Sequence, residues 1–158
     1  MNTDQYFEIK SEKEEFIKTI TQPIKVSVTI EIIPQKEMYM GKHVIYWFTN
    51  KDDILKWVRN VSAAEDFVHG TVEEPRFGGN FIDVEPELFE KFINWVFDDS
   101  KRIGLAGYTG GDNDLTIEEI LIDPKDGITT KSIRRKGHIS KADEVSDTEE
   151  GYVRCWWD

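Results

Sequence analysis

Between Ile24 and Ile32 apolar and polar positions alternate without a break: Ile24, Val26, Val28, Ile30 and Ile32 are interleaved with Lys25, Ser27, Thr29 and Glu31. A period of two places each set on its own face of a strand, so the segment predicts a β-strand with one buried and one wet face, as antiparallel sheets require. Pro34 lacks a backbone N–H and ends the ladder. The run His43-Val44-Ile45-Tyr46-Trp47-Phe48 predicts a second strand over 42–49, and 35–41, which contains Gly41, has the length of a hairpin connection.

Helical spacing takes over after that. Asn50 reads as an N-cap with Asp52 and Asp53 in the first turn, and Ile54, Leu55, Trp57, Val58 and Val61 fall on one face. Pro86 suits a first helical position, and Leu88, Phe89, Phe92, Ile93, Val96 and Phe97 recur three and four apart until Asp98-Asp99-Ser100. Near the N-terminus, Ser11 and Glu14 match a capping box, and Phe16, Ile17 and Ile20 predict a short amphipathic helix over 11–21, stopped by Pro23.

The other segments are read from turn chemistry. Gly70, Pro75 and Gly78-Gly79 mark loops within 62–80, and Phe81, Ile82 and Val84 suggest a short strand. Ile103 to Tyr108 reads as a brief buried strand before the loop 109–114. Pro124-Lys125-Asp126-Gly127 is a turn sequence, predicting a hairpin of 117–123 with 128–135. The polar, acidic stretch 140–150 is expected to be a mobile loop. Tyr152 to Asp158 should add a final strand, because Trp156 and Trp157 are poorly suited to water. Together these elements predict a single α+β domain over 1–158, a mainly antiparallel sheet of about five or six strands with two principal helices packed on one face.

Composition sharpens this picture. Hydrophobic residues make up 39% of the chain and include nine Phe, five Trp and five Tyr, enough for a sizeable core and unlike a disordered chain. Cys155 is the single cysteine, so no intramolecular disulfide forms, which fits a reducing compartment. The first ten residues lack the apolar stretch of a leader and no window reaches the length of a membrane span, so a soluble cytoplasmic protein with no membrane partner is expected.

Chemical signatures are weak. His43, His69 and His138 lie in separate segments without metal-ligand spacing, and Cys155 has no thiol neighbour. The stretch Gly104 to Gly111 lacks the Gly-Lys-Ser/Thr ending of a phosphate loop, and Asp112-Asn113-Asp114 lacks the ligand spacing of a calcium loop. The pairs Glu73-Glu74, Asp98-Asp99, Glu118-Glu119 and Glu149-Glu150 arise by chance in so acidic a chain and mark no acid–base couple. Arg134-Arg135-Lys136 reads as a solvated hairpin face or as cations paired with nearby acids. Neither metal nor cofactor is expected, and no enzyme.

The charge remains. Asp and Glu number 31 against 20 Lys and Arg, a formal charge of -11. Self-repulsion of that size weakens a folded state, and a basic partner surface would account for it. The expected function is therefore an acidic protein-binding inhibitor of a basic partner: an immunity- or antitoxin-type protein that neutralises a nuclease-like toxin, or an anti-defence protein. Its partner-binding residues are expected at Glu73, Glu74, Asp112, Asp114, Asp143, Glu144, Asp147, Glu149 and Glu150, with Tyr39, Tyr108 and Trp156 as candidate aromatic anchors. The Coulomb term opposes direct nucleic-acid binding. Two other classes compete with this reading. One is a small enzyme or ligand-binding domain whose site joins His43 or His69 to an acid such as Asp83 or Asp112. The other is an accessory interaction module of a larger complex.

Overall fold

The alternating segment is the second strand of a seven-stranded sheet in which every neighbouring pair runs antiparallel. The computed structural model describes residues 14–20, 26–35, 41–60, 70–78, 86–109, 114–139 and 141–157. In chain order the elements are β1 (Glu14–Ile20), β2 (Val26–Pro34), β3 (Lys42–Phe48), α1 (Lys51–Asn60), β4 (Arg76–Phe77), α2 (Pro86–Phe97), β5 (Ser100–Tyr108), β6 (Thr116–Ile117), β7 (Glu119–Pro124), α3 (Thr130–Ile139), β8 (Glu144–Asp147) and β9 (Val153–Trp156). The sheet order is β1-β2-β3-β5-β7-β9-β8, and β4 and β6 form a separate parallel pair. The class is α+β, as the sequence pattern predicts.

One face of the sheet carries the main core. Val28, Ile30, Val44, Tyr46, Phe48, Ile103, Leu105, Ile120, Ile122, Val153 and Cys155 pack with Ile54 and Trp57 of α1, Phe89, Phe92, Ile93 and Val96 of α2, and Ile133 of α3. All three helices therefore cover the same face. Rings meet at its centre, where Trp57 lies 5.1 Å from Tyr46 and 5.3 Å from Phe48 between ring centroids. The cap on α1 is as expected, with the backbone N–H groups of Asp52 and Asp53 donating to Asn50 Oδ1 at 2.9 and 3.3 Å.

The structure departs from the sequence pattern at three places. Residues 14–20 form β1 rather than part of a helix over 11–21, pairing with β2 from Glu14↔Ile32 to Ile20↔Val26. Ile17, Thr19 and Ile20 are β-branched, and the hydrogen-bonding edge of β2 outweighs a local capping signal. The turn at 124–127 forms, with Ile128 N–H donating to Lys125 O at 3.1 Å and Gly127 at φ 84°. It leads into α3 instead of a returning strand over 128–135, and His138 accordingly sits in the last turn of that helix. β7 finds its neighbours in β5 and β9. Within 140–150, Glu144–Asp147 is strand β8, hydrogen-bonded along β9, so the segment is not all loop.

α3 explains the basic run. Its buried residues Ile133 and Gly137 are four apart and face the sheet. A Cβ at position 137 would lie 2.8 Å from Cys155 Sγ, so only glycine lets the helix approach this closely. Arg134 pairs with Asp147 of β8. Lys136 Nζ donates to Trp95 O and to Asp99 Oδ2, each at 3.1 Å, placing a cation at the C-terminal end of α2. Arg134 and Lys136 thus pair with acids while Arg135 is exposed, and all three stand on a helix rather than on a hairpin. The expected strand around 81–84 and the side chains of Val61, His69, Asp83 and Asp112 lie outside the described residues.

Candidate functional site

The second face of the sheet has no helix on it among the described residues. Ile45, Trp47, Ala106 and Leu121 form a small cluster there, flanked by Ile33 and Tyr152. Period two then fixes which polar residues share this face: His43 on β3, Arg102 and Tyr108 on β5, Glu119 on β7, Arg154 and Trp156 on β9. The register does the rest. His43 is directly opposite Tyr108, Ala106 opposite Glu119, and Leu121 opposite Arg154, so three distant segments bring His43, Glu119 and Arg154 to one point.

Glu119 lies at the centre and is 1% exposed. Its Oε1 accepts from His43 Nε2, and its Oε2 accepts from Arg154 Nε at 2.5 Å. An ionised carboxylate has no hydrogen to give, so the Nε2 of His43 carries one. Burial on its own would raise the Glu119 pKa. The hydrogen bond and charge of His43, joined by those of Arg154, outweigh it and hold the carboxyl below its ordinary range. Arg154 also reaches Glu144 Oε1 at 3.5 Å and lies 5.7 Å from the Trp156 ring. Arg102 is held in the same manner: its guanidinium stacks 3.9 Å over Trp47, while Nε donates to Asp123 at 3.1 Å and Nη2 to the Tyr152 hydroxyl at 3.1 Å. Glycine at 104 gives Ile45 and Trp47 room, since a Cβ there would meet Ile45 Cγ2 at 2.6 Å and Trp47 Cε3 at 3.0 Å.

Tyr108 stacks on the His43 imidazole, 4.4 Å between centroids and 10° from parallel. At 36% it is the exposed large hydrophobic side chain among the described residues. Its hydroxyl pKa is raised, first by burial and then by the charges of Glu119 and Glu150, with Arg154 opposing. Beside it opens a cleft of about 390 Å³, bounded by Ile33, Pro34, Gln35, His43, Ile45, Tyr108, Leu121, Tyr152, Arg154 and the turn Thr148–Glu150.

The expected acidic residues divide into two groups. Asp143, Glu144, Asp147, Glu149 and Glu150 are all exposed and follow β8 and its turn into β9 at the edge of the sheet, with Glu149 and Glu150 against the cleft. Gly151 closes this turn at φ 89°, its N–H donating to Thr148 O at 3.1 Å. Glu73 and Glu74 are exposed in a turn held by Thr71, close to the helix-covered side where Tyr46 donates to Val72 O at 2.6 Å. Asp114 belongs with them, since its neighbour Leu115 donates to Gly70 O at 2.7 Å. Asp112 and Tyr39 lie outside the described residues, and Trp156 is half-buried.

Sequence reasoning passed over Glu119, Arg154, Arg102 and Tyr152. The available signal was a glutamate inside the apolar run Ile117 to Ile122, where a carboxylate needs partners if it is buried. Among the described residues the acid that meets His43 is Glu119. No group of three or more His, Cys, Asp or Glu side chains that could hold a metal ion occurs among the described residues. No helix among them is long and apolar enough to cross a membrane. Comparison with known proteins finds no matching family model, no matching curated protein and no matching solved structure.

Proposed function

We propose that this protein is an acidic cytoplasmic inhibitor that docks on a basic protein, an immunity- or antitoxin-type blocker of a nuclease-like toxin or an anti-defence protein. The observation that carries the reading is the exposed row Asp143, Glu144, Asp147, Glu149 and Glu150 along one sheet edge, beside an exposed Tyr108. Nucleases hold phosphates with Lys and Arg, and such a row complements their clefts. Asp147 and Glu144 share their charge with Arg134 and Arg154, which leaves Glu149 and Glu150 to dominate the field at the turn.

A ligand-binding or catalytic reading is favoured by one observation, the convergence of His43, Glu119 and Arg154 on a cleft. Yet Glu119 is 1% exposed and lies behind His43 and Arg154, so it is out of reach of a substrate proton, which a general base must contact. The trio suits a scaffold better than a proton relay.

The test is binding to the product of the adjacent gene and to a panel of basic nucleases, at low and high ionic strength, together with their nuclease activity. Inhibition with an affinity that falls about tenfold or more as salt rises is the expected result. Binding indifferent to salt, or no binding to any basic protein, would overturn the reading.

A further inference from the structure

The open face already holds two of the chain's own guanidinium groups by one recipe. Arg102 is placed between the Trp47 ring and the Asp123 carboxylate, and Arg154 between the Trp156 ring and the carboxylates of Glu119 and Glu144. The cleft beside them repeats the ingredients. Tyr108 and Tyr152 supply rings, Glu149 and Glu150 supply carboxylates, and Ile33 and Leu121 supply apolar wall for a methylene stem. Among the described residues neither Glu149 nor Glu150 has a cation in ion-pair distance. Tyr108 spends one ring face on His43 and is still exposed.

We propose that this cleft receives an arginine side chain of the basic partner, its guanidinium lying against Tyr108 and between the carboxylates of the 148–150 turn. The proposal rests on the inhibitor reading for the identity of the partner and adds the residue the partner must present. Arginine is preferred to lysine because its cation is planar and weakly hydrated, so it stacks on a ring and meets two carboxylates at once. Two exposed carboxylates, Glu149 and Glu150, line the cleft against one arginine, Arg154, whose charge Glu119 and Glu144 already absorb. A further cation is thus welcome there, and an anion is not.

The experiment titrates the protein with oligo-arginine, oligo-lysine and oligo-citrulline peptides of equal length. Oligo-arginine should bind about tenfold tighter than oligo-lysine, with oligo-citrulline weakest. Tyr108→Ala should erase the preference for arginine and Tyr108→Phe should keep it. The double variant Glu149→Gln/Glu150→Gln, whose side chains are exposed and leave the fold intact, should weaken oligo-arginine about fivefold. Glu73→Gln/Glu74→Gln, in the other acidic group, should change nothing. Equal affinity for arginine and lysine, a preference that survives Tyr108→Ala, or weakening by the Glu73/Glu74 variant alone would overturn the proposal. The two readings fail separately. Arginine binding at the cleft without inhibition of any basic nuclease sinks the inhibitor reading alone, whereas nuclease inhibition untouched by Tyr108→Ala and Glu149→Gln/Glu150→Gln sinks the cleft.

Discussion

Strand β3 shows both sides of the molecule in seven residues. Val44, Tyr46 and Phe48 point into the core beneath the helices, while His43, Ile45 and Trp47 point to the face without them. On the first side burial is collective: many apolar side chains fill space, and each is held by its neighbours. On the second side burial is specific, with carboxylates, guanidinium groups and rings each held by named partners. A sheet face that keeps Glu119 buried with no helix over it among the described residues must satisfy that charge by geometry. That requirement leaves the polar rim, and not the core, available to a partner.

The largest expected loss is on the helix-covered side. Phe92→Ala opens a cavity in α2 where the ring is fully buried, and should cost about 3–5 kcal/mol in urea denaturation. A loss under about 1 kcal/mol would show the face to be loosely packed.

Next in size is Glu119→Gln, which leaves His43 and Arg154 facing a neutral partner and should cost about 2–4 kcal/mol at neutral pH. Its pH dependence carries a sign. The folded pKa of Glu119 lies below its ordinary value of 4.5, so ionisation favours the folded state. This contribution is fully present above that ordinary value and is lost as pH falls through the depressed folded one. Denaturation at stepped pH should therefore show wild type and Glu119→Gln converging on the acid side. A gap that stays constant would remove Glu119 as an ionised anchor. Glu149→Gln/Glu150→Gln, on the exposed rim, should leave stability within about 0.5 kcal/mol of wild type.

The two sides also differ in how far the sequence reveals them. The helix-covered core is periodic, so β2, α1 and α2 can be read from spacing and caps, β3 and β5 from apolar runs, and β9 from two tryptophans poorly suited to water. β1 and α3 cannot, for opposite reasons: residues 14–20 carry a capping signal overridden by the free edge of β2, and α3 contains Gly137, which lowers helix propensity and is needed for its approach to Cys155. β8 is hidden because a four-residue acidic strand looks like a loop until β9 supplies its partner. On the open face the decisive contact joins residues 76 positions apart, and Glu119 is one of many glutamates until the register selects it. Glu149, Glu150 and Tyr108 could be named in advance from their own chemistry, whereas the cleft that unites them depends on the order of five strands.

Amide hydrogen exchange of the protein, free and saturated with the basic partner proposed for it, separates the two sides most directly. Protection should appear along 143–152 and around His43 and Tyr108, with α1 and α2 unchanged. Protection confined to the helices, or to the turn at Glu73 and Glu74, would contradict the account.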